Sequence, residues 1–205
     1  YTNPLKKTAD PRILLVDGVY YYVATDTSVL HVYKANNIPD LAYAEGVIVW
    51  NTALAATAME NRTSNIWPCS LEYFSPEDFG SEYAGYYITF STANYYDEQG
   101  NVIKYYDSNR RTYILKSASS DLQGDWVNPV TGEKNVPIRF SSDTESWVNR
   151  DNWCCGYNKF KYNGKCYALY TEQRDMATIN FRQVVYLAEL KNPWTVTGTS
   201  IALIE

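Results

Sequence analysis

Asp17-Gly18-Val19-Tyr20-Tyr21-Tyr22-Val23-Ala24-Thr25 sets a pattern that the rest of the chain follows. A turn dipeptide, whose glycine supplies the positive φ of a tight turn, leads into an aromatic-rich strand and reads as a β-hairpin. Two later stretches repeat it. Ala84-Gly85 leads into Tyr86-Tyr87-Ile88-Thr89-Phe90-Ser91, and Asn163-Gly164 leads into Lys165-Cys166-Tyr167-Ala168-Leu169-Tyr170-Thr171. The three glycines lie 67 and then 79 residues apart. Each is followed by a second echo: Ser28 to Lys34, Arg111 to Ser117, and Gln183 to Glu189. A third echo comes after it, in Asn37 to Leu41, Leu122 to Trp126, and Asn192 to Gly198. Three units of about four strands each, with their echoes in one order, read as blades of a β-propeller. The expected blades cover about residues 9–50, 65–140 and 153–205 of a single, partial propeller domain.

The composition agrees with an all-β chain. Of 205 residues, 45% are hydrophobic and 16% aromatic, including 20 tyrosines, which excludes a disordered chain. The segment Thr52 to Asn61 has helix-forming composition but lacks a continuous apolar stripe. No apolar run approaches the roughly 18 residues of a membrane span, so none is expected. With 18 basic against 23 acidic residues the net charge is −5, which argues against a nucleic-acid partner. The chain begins at Tyr1, as a processed protein or a fragment would. Asn94 to Asn109 and Asn128 to Asp151, which hold Gly100 and Gly132, read as surface loops.

The four cysteines, Cys69, Cys154, Cys155 and Cys166, form no C-x-x-C pair, and the only histidine is His31. A structural metal site is therefore not expected, and neither is a cofactor. An even cysteine count fits disulfides in an oxidising, extracellular or secreted setting; buried thiols are the alternative. Asn61-Arg62-Thr63 is a glycosylation sequon.

At these residues the chain resembles the family 43 glycoside hydrolases, which are five-bladed propellers. Ala9-Asp10-Pro11-Arg12-Ile13 with Asp17-Gly18-Val19-Tyr20-Tyr21 is similar to that family's first blade. Asn65-Ile66-Trp67-Pro68-Cys69-Ser70-Leu71 is similar to its second-blade Trp-Ala-Pro-Glu-Leu segment, and Arg111 to Trp126 to the later part of that blade. Trp153 to Gly164 and Tyr186 to Gly198 are similar to its third blade. The resemblance implies an inverting hydrolase of arabinose- or xylose-containing glycosides. Such an enzyme needs two carboxyl groups about 6.5–9.5 Å apart, with an attacking water between base and sugar. It also implies a glycan or oligosaccharide ligand. Three blades leave open strand edges, which further blades, another copy or another chain would cover.

The resemblance places Asp10 at the general-base position. An Asp before Pro also satisfies local backbone donors at a strand start. The other catalytic positions depart from the family pattern. Asp10 precedes Gly18 by eight residues, and the same offset from Gly164 lands on Gly156, where the family has an aspartate. Asp143 and Asp151 are the nearby carboxylates that another path would have to bring in. Ser70 replaces the glutamate of Trp-Ala-Pro-Glu. The family's general acid lies in a fourth blade, and Glu205, the last residue, is expected to be a surface carboxylate.

Trp67 and Trp153 fall on the matched inner segments, where an indole either stacks on a sugar or packs between blades. Arg12, two residues beyond Asp10, is expected on the same strand face, orienting a substrate hydroxyl or neutralising Asp10. His31 reads as structural. Cys69 is expected to form a cross-blade disulfide with Cys154 or Cys155. A related hydrolase that is catalytically impaired, or a non-catalytic glycan-binding or scaffold module, follows from this set.

Overall fold

The computed structural model describes residue 6 and residues 8–25, 29–51, 64–97, 99–103, 109–143, 153–174 and 182–204. Its described residues form three sheets in chain order, antiparallel throughout except that the short β10 joins the third in parallel. The first sheet runs β1 (Arg12–Val16), β2 (Val19–Val23), β3 (Val29–Ala35) and β4 (Val47–Asn51). The second runs β5 (Ser64–Phe74), β6 (Gly85–Ala93), β7 (Arg111–Ser117) and β8 (Trp126–Val127), with β9 (Ile138–Arg139) also on β7. In the third, β10 (Ser141–Ser142) lies outside β14 (Thr195–Ile204), followed inward by β13 (Arg182–Asn192), β12 (Lys165–Arg174) and β11 (Cys154–Tyr162). Each sheet is a propeller blade, and β5 packs against both β1 and β11.

Two of the three expected hairpin turns form as read. Asp17 and Gly18 have φ of 47° and 83°, and Asn163 and Gly164 have 49° and 75°. Positive φ at both central residues is the type I′ turn that matches strand twist. The second blade differs. There β5 and β6 are joined through α1 (Pro76–Phe79), and Gly85 is the first residue of β6. Ser75 caps α1 with Asp78 in a reciprocal capping box, and Pro76 sits at the first helical turn, where its missing N–H costs nothing.

The third echo marks fourth strands only in part. Pro39–Ala42 form a 3-10 turn started by proline, and the fourth strand of the first blade comes later, at β4. The stretch after Asn128 is not all loop, because it lends β9 to the second blade and β10 to the third.

Two cores hold the blades face to face. Between the first and second lie Val16, Tyr21, Leu30, Trp50, Leu71, Ile88, Phe90 and Trp126. Between the second and third lie Phe74, Tyr87, Phe140, Tyr157, Tyr170, Tyr186 and Trp194. Burying each large side chain is worth roughly 1.5–3 kcal/mol, so aromatic residues such as Tyr87, Tyr157, Tyr170, Trp50 and Trp126 hold the blades together. The outward sides of the end blades remain apolar: Ile13 and Leu15 on β1 are 43% and 55% exposed, and Ile201 and Leu203 on β14 are 58% and 50% exposed. No described helix is long and apolar enough to cross a membrane.

Candidate functional site

The first strands of the three blades, β1, β5 and β11, line the centre. Each is entered through a left-handed residue: Asp10 (φ 53°), Asn65 (φ 51°) and Gly156 (φ 77°). In β5 and β11 these residues sit inside β-bulges, at register shifts between Ser64 and Trp67 and between Cys155 and Asn158. A bulge re-aims the side chains beside it, which is how a strand end is turned toward a site.

Asp10 is exposed, and its Oδ2 accepts a 2.7 Å hydrogen bond from Thr25 Oγ1. The Thr25 N–H donates to the Ala9 carbonyl at 3.0 Å, so the second strand's exit holds the residue pair at the first strand's entry. In the third blade Gly156 lies beside Thr171, and a Cβ built on the glycine meets Thr171 N and Oγ1 at 3.9 Å. No side chain projects there.

Ser70 is buried, and its hydroxyl pairs with Thr89 Oγ1 at 2.8 Å and also bonds the Glu72 carboxylate. Trp67 is half-exposed and carries the Arg110 guanidinium 3.3 Å from its ring centroid. Trp153 is 4% exposed, and its indole N–H has no hydrogen-bond partner among the described residues. Core packing is the role its placement fits.

Arg12 does not share a strand face with Asp10, because Asp10 is left-handed and β1 starts only at Arg12, which breaks the alternation. Instead Arg12 acts on Glu72. Burial raises the Glu72 carboxyl, opposed by the Lys159 N–H bonded to its Oε1 at 2.8 Å and by the charges of Lys159 and Arg12. This carboxylate on β5 thus bonds the backbone of β11 and lies within the field of Arg12 on β1.

The expected disulfide from Cys69 to Cys154 or Cys155 is not formed: Cys154, Cys155 and Cys166 are thiols. Neighbouring strands brought hydroxyls to them instead. Cys155 Sγ lies 3.1 Å from Ser91 Oγ, and Thr112 Oγ1 donates to Cys154 Sγ at 3.8 Å. Burial pushes the Cys154 thiol far up, with the Glu172 carboxylate adding to the effect.

Asp143 lies on the outer rim, where its N–H donates to the Val196 carbonyl and its carboxylate is 3.6 Å from Lys191 Nζ. It does not reach the centre. Asp151, Glu205, the sequon at Asn61 and the segment Thr52 to Asn61 lie outside the described residues. His31 packs at 5.9 Å from the Tyr33 ring. Among the described residues no three His, Cys, Asp or Glu side chains gather as a metal site. A cleft of about 270 Å³, which Asp10 does not line, lies between β4 and the residues flanking β8, Gln123 to Asp125 and Lys134 to Asn135.

Sequence reasoning missed Thr25, Thr171, Glu72 and Arg110. The two threonines were findable, because each stands fifteen residues after its left-handed partner. Arg110 carried no local signal.

No protein-family model and no curated protein sequence matches the chain. Solved structures do match. An α-L-arabinofuranosidase from Lactobacillus brevis superposes with a TM-score of 0.70 at 21% identity, covering 100% of this chain and 56% of that one. The fold is that of the family 43 propellers. An endo-arabinase from Bacteroides thetaiotaomicron matches with a TM-score of 0.60 at 18% identity, over 95% of this chain and 55% of that one. A Penicillium chrysogenum α-L-arabinanase, solved with arabinobiose, matches with a TM-score of 0.53 at 16% identity, over 100% and 51%. The chain spans about half the length of these family 43 propellers, as three of five blades do.

Proposed function

We propose that this chain is a carbohydrate-active protein related to the family 43 hydrolases. In this reading it binds an arabinose- or xylose-containing glycan at the channel mouth around Asp10, outside the cell, with hydrolysis impaired. The observation that carries the reading is the Asp10–Thr25 pair at the mouth of this fold, with the carboxylate exposed and its hydrogen-bond partner in place. Asp10 stands where the family's general base would stand, and Trp67 offers a half-exposed indole on β5, the strand that packs against β1.

A single carboxylate cannot serve as base and acid on opposite sides of a sugar. Gly156, and Ser70 where the family has a glutamate, favour the second reading, a non-catalytic glycan-binding or scaffold propeller. The apolar faces around Ile13 and Leu15, and around Ile201 and Leu203, fit docking of neighbouring blades. Those blades come from further sequence, a second copy or a different chain, and sedimentation velocity distinguishes a monomer from an assembly.

The test combines binding of arabinohexaose by calorimetry with turnover of aryl arabinofuranoside and aryl xyloside. Binding that is weakened by Asp10→Ala, with no turnover, supports glycan recognition without catalysis. Turnover abolished by Asp10→Ala sinks the non-catalytic reading. Absence of both binding and turnover sinks the carbohydrate reading.

A further inference from the structure

Arg110 is fully buried, at 0% exposure, and yet it is a cation. Taking a guanidinium out of water is costly unless its donors and charge find partners. Here Nη1 donates to the Asn65 carbonyl at 2.7 Å and to the Ser91 carbonyl at 3.2 Å. The guanidinium carbon lies 3.3 Å from the Trp67 ring centroid, a cation–π contact in a desolvated setting, where such contacts are strongest. The Arg110 carbonyl, in turn, accepts the Cys154 N–H at 3.0 Å.

These contacts converge on the channel mouth. Asn65 is the left-handed residue of the second blade, Trp67 follows it by two positions, and Cys154 opens the first strand of the third blade. One side chain therefore fixes the bulge at the start of β5 and the plane of the Trp67 indole, while its backbone fixes the entry of β11. Asn65, Trp67 and Ser91, at 45, 43 and 19 residues from Arg110, meet it through the β5–β6–β7 ladder, whereas Cys154, 44 residues away, belongs to the next blade. Because Trp67 stays half-exposed with one side backed by the guanidinium, its accessible surface is a platform that cannot swing inward.

We infer that Arg110 is a positioning residue for glycan recognition. By backing the Trp67 indole and anchoring the Asn65 bulge, it holds a preorganised stacking surface for a sugar ring on β5, the strand that packs against β1. Preorganisation raises affinity by removing the ordering cost from the binding step. The inference rests on the reading of the channel mouth as a glycan site and of Trp67 as a contact there.

The experiment measures arabinohexaose affinity by calorimetry for the full chain and for Trp67→Ala, Arg110→Met, Arg110→Lys and the double variant Trp67→Ala/Arg110→Met. In parallel, the 19F spectrum of 5-fluorotryptophan-labelled protein reports the Trp67 ring without any ligand. The expected result is a roughly tenfold loss of affinity in Trp67→Ala, the size of a lost stacking contact. A similar loss is expected in Arg110→Met, no further loss in the double variant, and partial recovery in Arg110→Lys. The Trp67 resonance is expected to shift or broaden in Arg110→Lys.

A folded Arg110→Met that is less stable but binds arabinohexaose normally overturns the inference and leaves Arg110 a structural residue. Where Arg110→Met does not fold, an unchanged Trp67 resonance and unchanged affinity in Arg110→Lys overturn it equally. If Trp67→Ala binds as tightly as the natural protein, the contact assigned to Trp67 falls and the inference falls with it. If the natural protein does not bind arabinohexaose, the glycan reading itself fails, whatever the 19F spectrum shows of ring positioning.

Discussion

Asp10 and Gly156 occupy the same backbone position in two different blades. Both are left-handed, with φ of 53° and 77°, and both stand eight residues before the glycine of a type I′ hairpin. Each faces a threonine fifteen residues later, Thr25 or Thr171. In the first blade the threonine hydroxyl holds a carboxylate; in the third it faces a hydrogen.

The third-blade position should therefore accept an aspartate. A Cβ there meets nothing nearer than 3.9 Å, and Asp10 shows that aspartate tolerates the same left-handed backbone. Gly156→Asp is expected to fold with a loss of about 1 kcal/mol, the usual cost of placing a side chain in that region. Denaturant unfolding measures this, and a loss above about 3 kcal/mol would show that the two positions are not equivalent.

Thr25→Val removes the hydroxyl that bonds Asp10 Oδ2 at 2.7 Å. Both groups are at the surface, so thermal stability should hardly change. Arabinohexaose affinity should fall severalfold, because the carboxylate loses the contact that fixes its rotamer. Equal affinity in Thr25→Val and the natural protein would remove Asp10 positioning from the account.

Asp78 gives the blade 2–blade 3 interface an acid-sensitive joint. Burial alone would raise its carboxyl, but the hydrogen bonds from Lys161 and the Ser75 N–H, with the charges of Lys159 and Lys161, bring it down from 3.8 to about 2. A carboxyl depressed in the folded state contributes stability above its unfolded value. That contribution is lost as pH falls from about 4 through about 2, and amounts to at most about 2 kcal/mol. Unfolding free energies at pH 7, 4 and 2.5 should show the drop. In Asp78→Asn that part of the slope should vanish, and an unchanged slope counts against the joint.

Tyr157 is fully buried, and its hydroxyl donates to the Pro193 carbonyl at 2.8 Å. Tyr157→Phe leaves that carbonyl without its donor, so a loss of about 1–2 kcal/mol is expected in urea unfolding. A neutral result would mean that water replaces the hydroxyl there.

The buried thiols are expected to resist alkylation in the native protein. Cys154 and Cys166 are buried, so native protein should protect both from iodoacetamide, and denaturant should expose them. A non-reducing peptide map that links Cys154 or Cys155 to Cys69 would show that the disulfide forms after all.

The blades were legible because their signals are short-range. Asp17-Gly18 and Asn163-Gly164 carry their turn type in two residues, and alternation within a strand needs only a handful more. Even the missing third-blade carboxylate could be counted from the turn glycine, since a hairpin fixes register from its own loop. The second blade escaped this reading at Ala84-Gly85, where Ser75 and Pro76 start a helical turn that replaces the tight hairpin.

What the sequence determined by itself, then, was the repeat of hairpins, the placing of Asp10 at a strand entry and the glycine that stands in its third-blade place. Only the tertiary structure decided that Trp153 is interior, that Arg12 acts on Glu72, that the cysteines near the mouth meet hydroxyls, and that Arg110 lies beneath Trp67. The reason is physical. Turn geometry and strand pleat are set by neighbours along the chain, whereas a buried cation or carboxylate is satisfied by groups that only blade packing brings within hydrogen-bond reach.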